Sequence, residues 1–565
     1  MREIINRLTL SNGSLTVLFF LFSLAYLILA MHLPVYLITQ AGHDDALFWG
    51  HAEQIINGDW LGNYNNLTLA KGAGFSLFLA MNAILGTPVT LLIALFYLLA
   101  CGLLAKTLIA LNINKQFVLF IFVIILFHPA LFPNRIIRDT IYPALSLIVI
   151  SGVIRLIFAP QPYDNTLTSV IPYGSALAWF WLTREEGIWI VPSIMILLIL
   201  RVIQLKKQNL PLKPVFYRLG VFSVIAILWV SLVAMLNYYH YGKFETVDFT
   251  GSAYSNALKS LNSVDVGEDL PYIPVSSAKR QVIYNVSPSF RQLQDYFEDK
   301  GKNWMIPSCA IYPWTCGDYA GGWFDWALRD AVASQGYYDT PVHAEAFYNN
   351  ISQEINAACD QGLIKCQAHF IPLMPNIGIN QWKQLPDKLV VAFNVVMLKK
   401  TNKKSDKPVD KKIVKESSEP LDQLQSVLQF LGYPRTLSTS SEANTLLEES
   451  NFGVKSALKI RRSLVYVYHT VMSCFVILGG CVYFIYFTLR LFKCKPMTDI
   501  FVVSTLMWCL FLTRVVMLIV VDISSFPAIN SAYMSAAFPI LCTATFLSIL
   551  LIDWSSIARI CIWKK

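Results

Sequence analysis

His43, Asp44 and Asp45 stand together immediately after a long apolar run, and Trp49, His51 and Glu53 follow within a few residues. Two adjacent carboxylates at such an exit suit work on something held at that boundary, because a carboxylate takes a proton from an incoming nucleophile. Further along, "PNRIIRD" supplies Arg135, Arg138 and Asp139, "TREEG" supplies Arg184, Glu185 and Glu186, and Lys71 opens another apolar stretch. Guanidinium groups hold a phosphate through paired hydrogen bonds and stabilise it as it leaves. Proton acceptors and phosphate holders in neighbouring loops are the parts of a group transfer from a phosphate-linked donor.

The elements that position these residues are membrane helices. The chain has 565 residues, 55% hydrophobic and only 14% charged, with a mean hydropathy of +0.50; a soluble protein carries about a quarter charged residues. It therefore reads as an integral membrane protein with many spans. The net charge of +9 fits basic cytoplasmic loops, and the absence of a basic groove motif or zinc-knuckle spacing sets nucleic acid aside as a partner. The apolar run from Ser14 to Thr39 exceeds the roughly 7–15-residue core of a signal peptide and no A-x-A site follows it, so it reads as a retained signal anchor.

A spanning helix needs about 20 mostly apolar residues. Ten segments qualify: 15–38, 88–111, 116–133, 139–158, 165–182, 188–205, 216–238, 463–489, 498–521 and 530–552. The stretch 72–86 is too short and suits a re-entrant or interfacial helix. The bias of Lys and Arg in short loops puts both termini on the cytoplasmic side, with Arg2, Arg7, Lys106, Lys115, Arg155, Arg201, Lys206, Lys207, Lys213, Arg218, Arg490, Lys493, Lys495, Arg559, Lys564 and Lys565. Lys71, Arg135, Arg138 and Arg184 are then exceptions in outer loops. Charges beside a membrane segment are costly and mark a site. In the first of these loops, residues 44–57 read as a surface helix, N-capped by Asp44 or Asp45 and ended by Gly58.

The polar stretch 239–462 is long enough for its own core. Its cysteines fall as Cys309 with Cys316 and Cys359 with Cys366. In an oxidising compartment these local pairs read as disulfides, ahead of a zinc site, which wants tighter spacing. The Lys-rich run 399–419 reads as a solvated linker, with contact to anionic lipid headgroups as the sharper alternative. "LVVAFNVVML" before it is too short to span. The fold class expected is an all-α polytopic membrane protein of about ten transmembrane helices, with a mostly helical or α+β extracytoplasmic domain inserted. The divisions are 1–238, including the first outer loop 39–87, then 239–462, then 463–565.

The order of these features, "DDALFWGHAEQIINGDW", a short apolar stretch ending "AILG", then "PNRIIRD" and "TREEG", resembles the GT-C superfamily of membrane glycosyltransferases. Its members include protein O-mannosyltransferases, the lipid A aminoarabinose transferase and oligosaccharyltransferase. The resemblance covers roughly residues 1–240. It implies a sugar transferred from a polyprenyl-phosphate-linked donor to a glycan, lipid or protein acceptor, by attack on the anomeric carbon with the lipid phosphate departing. It implies that Asp44 is the base or positions the acceptor, with Asp45 as its acidic neighbour and Asp139 as the acid of the second outer loop. Arg135, Arg138, Arg184 and Lys71 are the candidates for the donor phosphate, and Glu185 and Glu186 for orienting the arginines. Some members use a divalent metal and others none; His43, Asp44, Asp45 and His51 are the candidate ligands. Lys459, Arg461 and Arg462, at the outer entry of span eight, depart from this pattern and from the charge rule, which long domains escape; contact with lipid phosphate is the alternative reason for them. Membrane lipids are the remaining partner, and the expected location is a bacterial inner membrane with a periplasmic site.

Three other readings compete. A polysaccharide polymerase or ligase would lean on arginines of the large outer loop. A transporter would carry charges at mid-membrane and repeated halves; Arg514 is the main ionisable residue deep in a run. A sensor would need a cytoplasmic signalling module.

Overall fold

In lipid every backbone polar group must be paired within the protein, which leaves helices or closed barrels as the spanning structures. All ten apolar segments contain helices. A computed structural model describes residues 11–35, 42–158, 167–267, 270–368, 374, 377–399, 430–432, 452–492 and 496–552. The longer helices are α1 (Asn12–His32), α2 (Asp45–Asn57), α3 (Gly74–Leu85), α4 (Val89–Ala110), α5 (Lys115–Leu126), α6 (Tyr142–Phe158), α7 (Leu167–Thr183), α8 (Val191–Lys207), α9 (Lys213–Tyr241), α10 (Ser252–Ser263), α11 (Gly321–Ser334), α12 (Pro341–Asp360), α13 (Leu385–Val396), α14 (Phe452–Leu491, with a π turn at Tyr468–Met472), α15 (Asp499–Ser524) and α16 (Ala537–Ile549). Arg2, Arg7, Lys493, Lys495, Arg559, Lys564, Lys565 and the linker from 400 to 419 lie outside the described residues.

Six helices are long and apolar enough to cross a membrane: α1, α4, α8 with the 3-10 turn before it, α9, α14 and α15. Helices α3, α5, α6 and α16 are apolar but shorter. Three boundaries differ from the apolar runs. The run 116–133 leaves the helix at Leu126, because His128 precedes Pro129 and the residue before a proline is driven out of the helical region. The run 530–552 becomes helical only at Ala537; the Asn530 side-chain oxygen accepts the Ala532 and Tyr533 N–H groups, and such a turn competes with helix. Helix α14 begins at Phe452, eleven residues before the apolar run, and extends over 40 residues. That is about 60 Å, twice a hydrocarbon core of about 30 Å.

A second hydrophobic core belongs to the stretch after α9. In α10 the residues Ala253, Tyr254, Ala257, Leu258 and Leu261 are buried, a spacing that puts them on one helix face. They meet Phe290, Phe297, Phe324, Leu328 and Ile351. Among the described residues there is no strand, only an isolated bridge between Val264 and Cys366, so the helical alternative holds there. Cys309 is joined to Cys316 and Cys359 to Cys366. Peptide mapping without reduction is expected to recover both links; free thiols at all four positions would refute an oxidising location. Residues 377–399 do not join this core. Ala392, Val396 and Met397 pack into the core of the membrane helices instead.

Candidate active site

Helix α2 ends as its sequence requires. Gly58 takes φ +89° and its N–H reaches Gln54 O and Ile55 O, a left-handed cap that glycine adopts without strain. Its start differs from expectation. Asp44 occupies the N-cap position, and its carbonyl accepts from Phe48 N at 3.2 Å, but its carboxylate caps nothing. That carboxylate is bonded to Lys71 Nζ. A charge-assisted hydrogen bond is roughly twice as strong as a neutral one, so the ammonium displaces the backbone amides as partner. Lys71 Nζ also donates to the His43 carbonyl and lies 5.3 Å from the Phe48 ring centroid and 5.4 Å from that of Trp326.

Asp45, the first residue of α2, has a fully buried side chain. Arg135 grips it from Nε at 3.0 Å and from Nη2. The same Nη2 is 3.7 Å from Asp44 Oδ2. Arg135 thus touches both members of the acidic pair.

A second tier of charges lies beneath. Arg138 Nη1 donates to Glu185 Oε2 at 2.9 Å, and Glu185 Oε1 accepts Gly72 N–H at 2.9 Å, so one carboxylate ties three loops together. A Cβ at Gly72 would lie 2.1 Å from Leu182 O; only glycine lets the backbones approach this closely. Arg184 is paired with Asp139 and, at 2.5 Å, with Glu186, and it lies 4.9 Å over the Tyr533 ring. Arg514, fully buried in α15, completes the tier: its Nη1 is 3.9 Å from Glu186 and its Nη2 donates to Tyr533 O at 2.7 Å. Acids and cations are equal in number across the two tiers, which is what a poorly solvated cluster requires.

These neighbours set protonation. Burial pushes the Asp44 carboxyl up, but the Lys71 ammonium, through charge and hydrogen bond, and then Arg135 and Arg138 outweigh it, and the group titrates below the usual aspartate range. Burial lowers the Arg138 and Arg135 guanidiniums, yet Glu185 for the first and Asp45 for the second carry them above their ordinary values. Asp44 is therefore anionic at neutral pH, and its side chain is 50% exposed.

A cavity of about 420 Å³ opens beside this cluster. Arg135, Asp139, Lys399 and Arg461 are its charged lining, and Phe132, Leu398 and Val465 are among its apolar lining. Arg135 faces it directly, whereas Arg138 and Arg184 lie below, engaged with carboxylates.

The four candidate metal ligands do not converge. Asp45 is taken by Arg135. His43 is packed between Trp304 and Trp326, at 4.7 and 4.6 Å, with Nε2 3.7 Å from Asp330. His51 is buried, which drives its pKa down to about 4. Among the described residues no group of three His, Cys, Asp or Glu is placed to hold a metal.

The sequence reading missed Arg514 as a member of this cluster; its signal was a single charge deep in an apolar run. It also missed Trp304, Trp326 and Asp330, which the second core brings onto the first loop: Asp330 accepts Asn66 Nδ2 at 2.6 Å and Trp304 Nε1 at 2.8 Å. Nothing in their local sequence marks them.

No family model and no curated protein matches the chain. It is similar to two solved structures, the crystal structures of ArnT from Cupriavidus metallidurans in the apo state and bound to undecaprenyl phosphate. Each is 12% identical; the matches cover 94% and 95% of this chain and 77% and 78% of that one, with TM-scores of 0.30 and 0.32.

Proposed function

We propose that the chain is a membrane glycosyltransferase that moves a sugar from a polyprenyl-phosphate-linked donor to an acceptor hydroxyl on a glycan, lipid or protein. The observation that carries this reading is the position of Arg135, which lines the cavity and contacts both Asp45 and Asp44. The donor's phosphate sits in the cavity against Arg135, Arg461 and Lys399, and its first isoprene units lie on the apolar wall. Its anomeric carbon faces Asp44. The acceptor oxygen bonds to that carbon while its proton passes to the Asp44 carboxylate. The bond from the carbon to the phosphate oxygen breaks, its electron pair leaves with the lipid phosphate, and Arg135 meets the added charge. Asp45 holds Arg135 in place, and the lower tier fixes the loops.

The same reading places the protein in an inner membrane, with both termini cytoplasmic and the cavity on the periplasmic side. The residues 1–238 and 463–565 carry the spans, and 239–462 stands outside the cytoplasm. A polymerase or ligase would lean on arginines of that outer stretch. Its two fully buried ones are engaged with carboxylates, Arg329 with Asp248 and Arg280 with Glu298 and Asp318.

The test is mass-spectrometric profiling of lipid-linked sugars in cells that lack the protein, carry it, or carry Asp44→Asn. Build-up of one polyprenyl-phosphate sugar in the null and the mutant identifies the donor. No change in any lipid-linked sugar refutes the reading. A finer expectation concerns Arg461. A hydrogen bond to a charged group is worth about 1.5–3 kcal/mol, so Arg461→Ala is expected to raise KM for the donor by roughly 10- to 100-fold with a smaller change in kcat. An unchanged donor KM would remove Arg461 from the phosphate site.

A further inference from the structure

Residues 379–398 form an element with two unlike sides. It starts with a short helix, Ile379–Trp382, and continues as α13. One side is fastened to the membrane helices. Gln381 Nε2 donates to Ile523 O at 2.8 Å, Lys388 Nζ pairs with Asp522 at 2.5 Å, both near the Ser524 end of α15, and Ala392 and Val396 are buried in the main core. The Met397 carbonyl meets His469 Nδ1 of α14 at 3.1 Å. The other side is largely apolar, with Asp387 exposed one turn before Val390. Ile379, Trp382, Leu389, Val390 and Phe393 are all exposed, and 389, 390 and 393 share one face of the helix at the spacing expected for a stripe.

The height of this element fixes what covers that face. His469 stands along α14 about 33 Å from Leu491 at 1.5 Å per residue, close to the hydrocarbon thickness of about 30 Å. Between those points α14 exposes Ile477 and Phe484. The element is thus held beside α14 and the Ser524 end of α15, at the level where hydrocarbon gives way to headgroups. Trp382 and the exposed Lys383 and Lys399 stand at its two ends, the residue types that settle at that level. Left in water, such a patch is disfavoured by about 25 cal/mol for each Å² of apolar surface.

We propose that residues 379–398 are an interfacial element immersed in the outer leaflet, with bilayer lipid acyl chains covering Leu389, Val390 and Phe393. Its other flank, Val395 and Leu398, is among the walls of the 420 Å³ cavity, so the element lies between its exposed apolar face and the proposed donor site. The inference rests on the membrane placement given above and not on the sugar chemistry.

The experiment uses the full chain in nanodiscs of phosphatidylcholine and phosphatidylglycerol, with the photoreactive residue benzoylphenylalanine placed singly at three exposed positions. Val390 (60% exposed) is the test, Val342 on α12 (70%) is a site in the second core's domain, and Phe484 on α14 (69%) is a spanning-helix site. After illumination, mass spectrometry is expected to find at least tenfold more phospholipid adduct at Val390 than at Val342, and comparable adduct at Phe484. Adduct at Phe484 with none above the Val342 level at Val390 overturns the proposal alone. A crosslink from Val390 to a second copy of the chain also overturns it. Absence of adduct at Phe484 overturns the membrane placement and this inference with it.

Discussion

Asp44→Asn is expected to lower the transfer rate by about 10²- to 10⁴-fold, the range a positioned general base supplies. The substitution removes the proton acceptor and little else. Asn retains an oxygen for Lys71 Nζ, and Lys71 keeps the His43 carbonyl and the flanking Phe48 and Trp326 rings. The position is half exposed, so the folded state tolerates the change, and the protein should purify as the wild type does. The measurement is single-turnover transfer by purified protein, once the donor is known. A wild-type rate would end the role assigned to Asp44. Asp45→Asn should behave differently. That carboxylate is fully buried against Arg135, so its loss frees Arg135 to shift, and the expected signature includes a raised KM for the donor.

Arg184→Met is expected to be the most damaging single change to the fold. The guanidinium is almost wholly buried and pairs with Asp139 and Glu186 at once. Removing one partner from a buried ion pair costs about 3–5 kcal/mol, because the opposite charge is left behind in a poorly solvated place. Here two carboxylates lose their partner. The consequence is read as a lower unfolding temperature in detergent and a smaller folded fraction on gel filtration. Arg184→Lys should recover only part of the loss, since a single ammonium cannot span both carboxylates as the planar fork does. Adding Glu186→Gln to Arg184→Met should recover part as well, because it removes one of the stranded charges. An Arg184→Met protein that unfolds at the wild-type temperature would show that the lower tier does not hold the loops.

The residues themselves determined the parts that depend on local composition. Apolar runs near the thickness of a bilayer became helices, because backbone groups in lipid have no other partner. Gly58 ended α2 because glycine alone enters the left-handed region freely. Charges in short outer loops marked the region of the site, because a charge beside a span needs a reason. The spacing of Cys309 and Cys316, and of Cys359 and Cys366, suited local pairs.

Tertiary structure alone decided which acid meets which cation. Asp45 is joined to Arg135, Asp139 to Arg184, and Glu186 to both Arg184 and Arg514. Apart from Arg184 with Glu186, two residues apart in one loop, these partners come from separate loops and from a helix hundreds of residues away, and no local pattern encodes such a distance. The Asp44 carboxylate shows the consequence most directly. By sequence Asp44 or Asp45 suits a helix cap, a role that needs only the next turn; in the fold Lys71, from the far end of the same outer loop, takes the Asp44 carboxylate. The cavity has the same origin. Its walls come from residues 129–143, 395–399, 461–465 and 530–535, brought together by helix packing, and the ends of α5 and α16 that leave room for it were set by turn chemistry at Pro129 and Asn530. Composition selects the elements because it acts on neighbours in the chain. The site lies between elements, where position and charge are set by residues the local sequence does not contain.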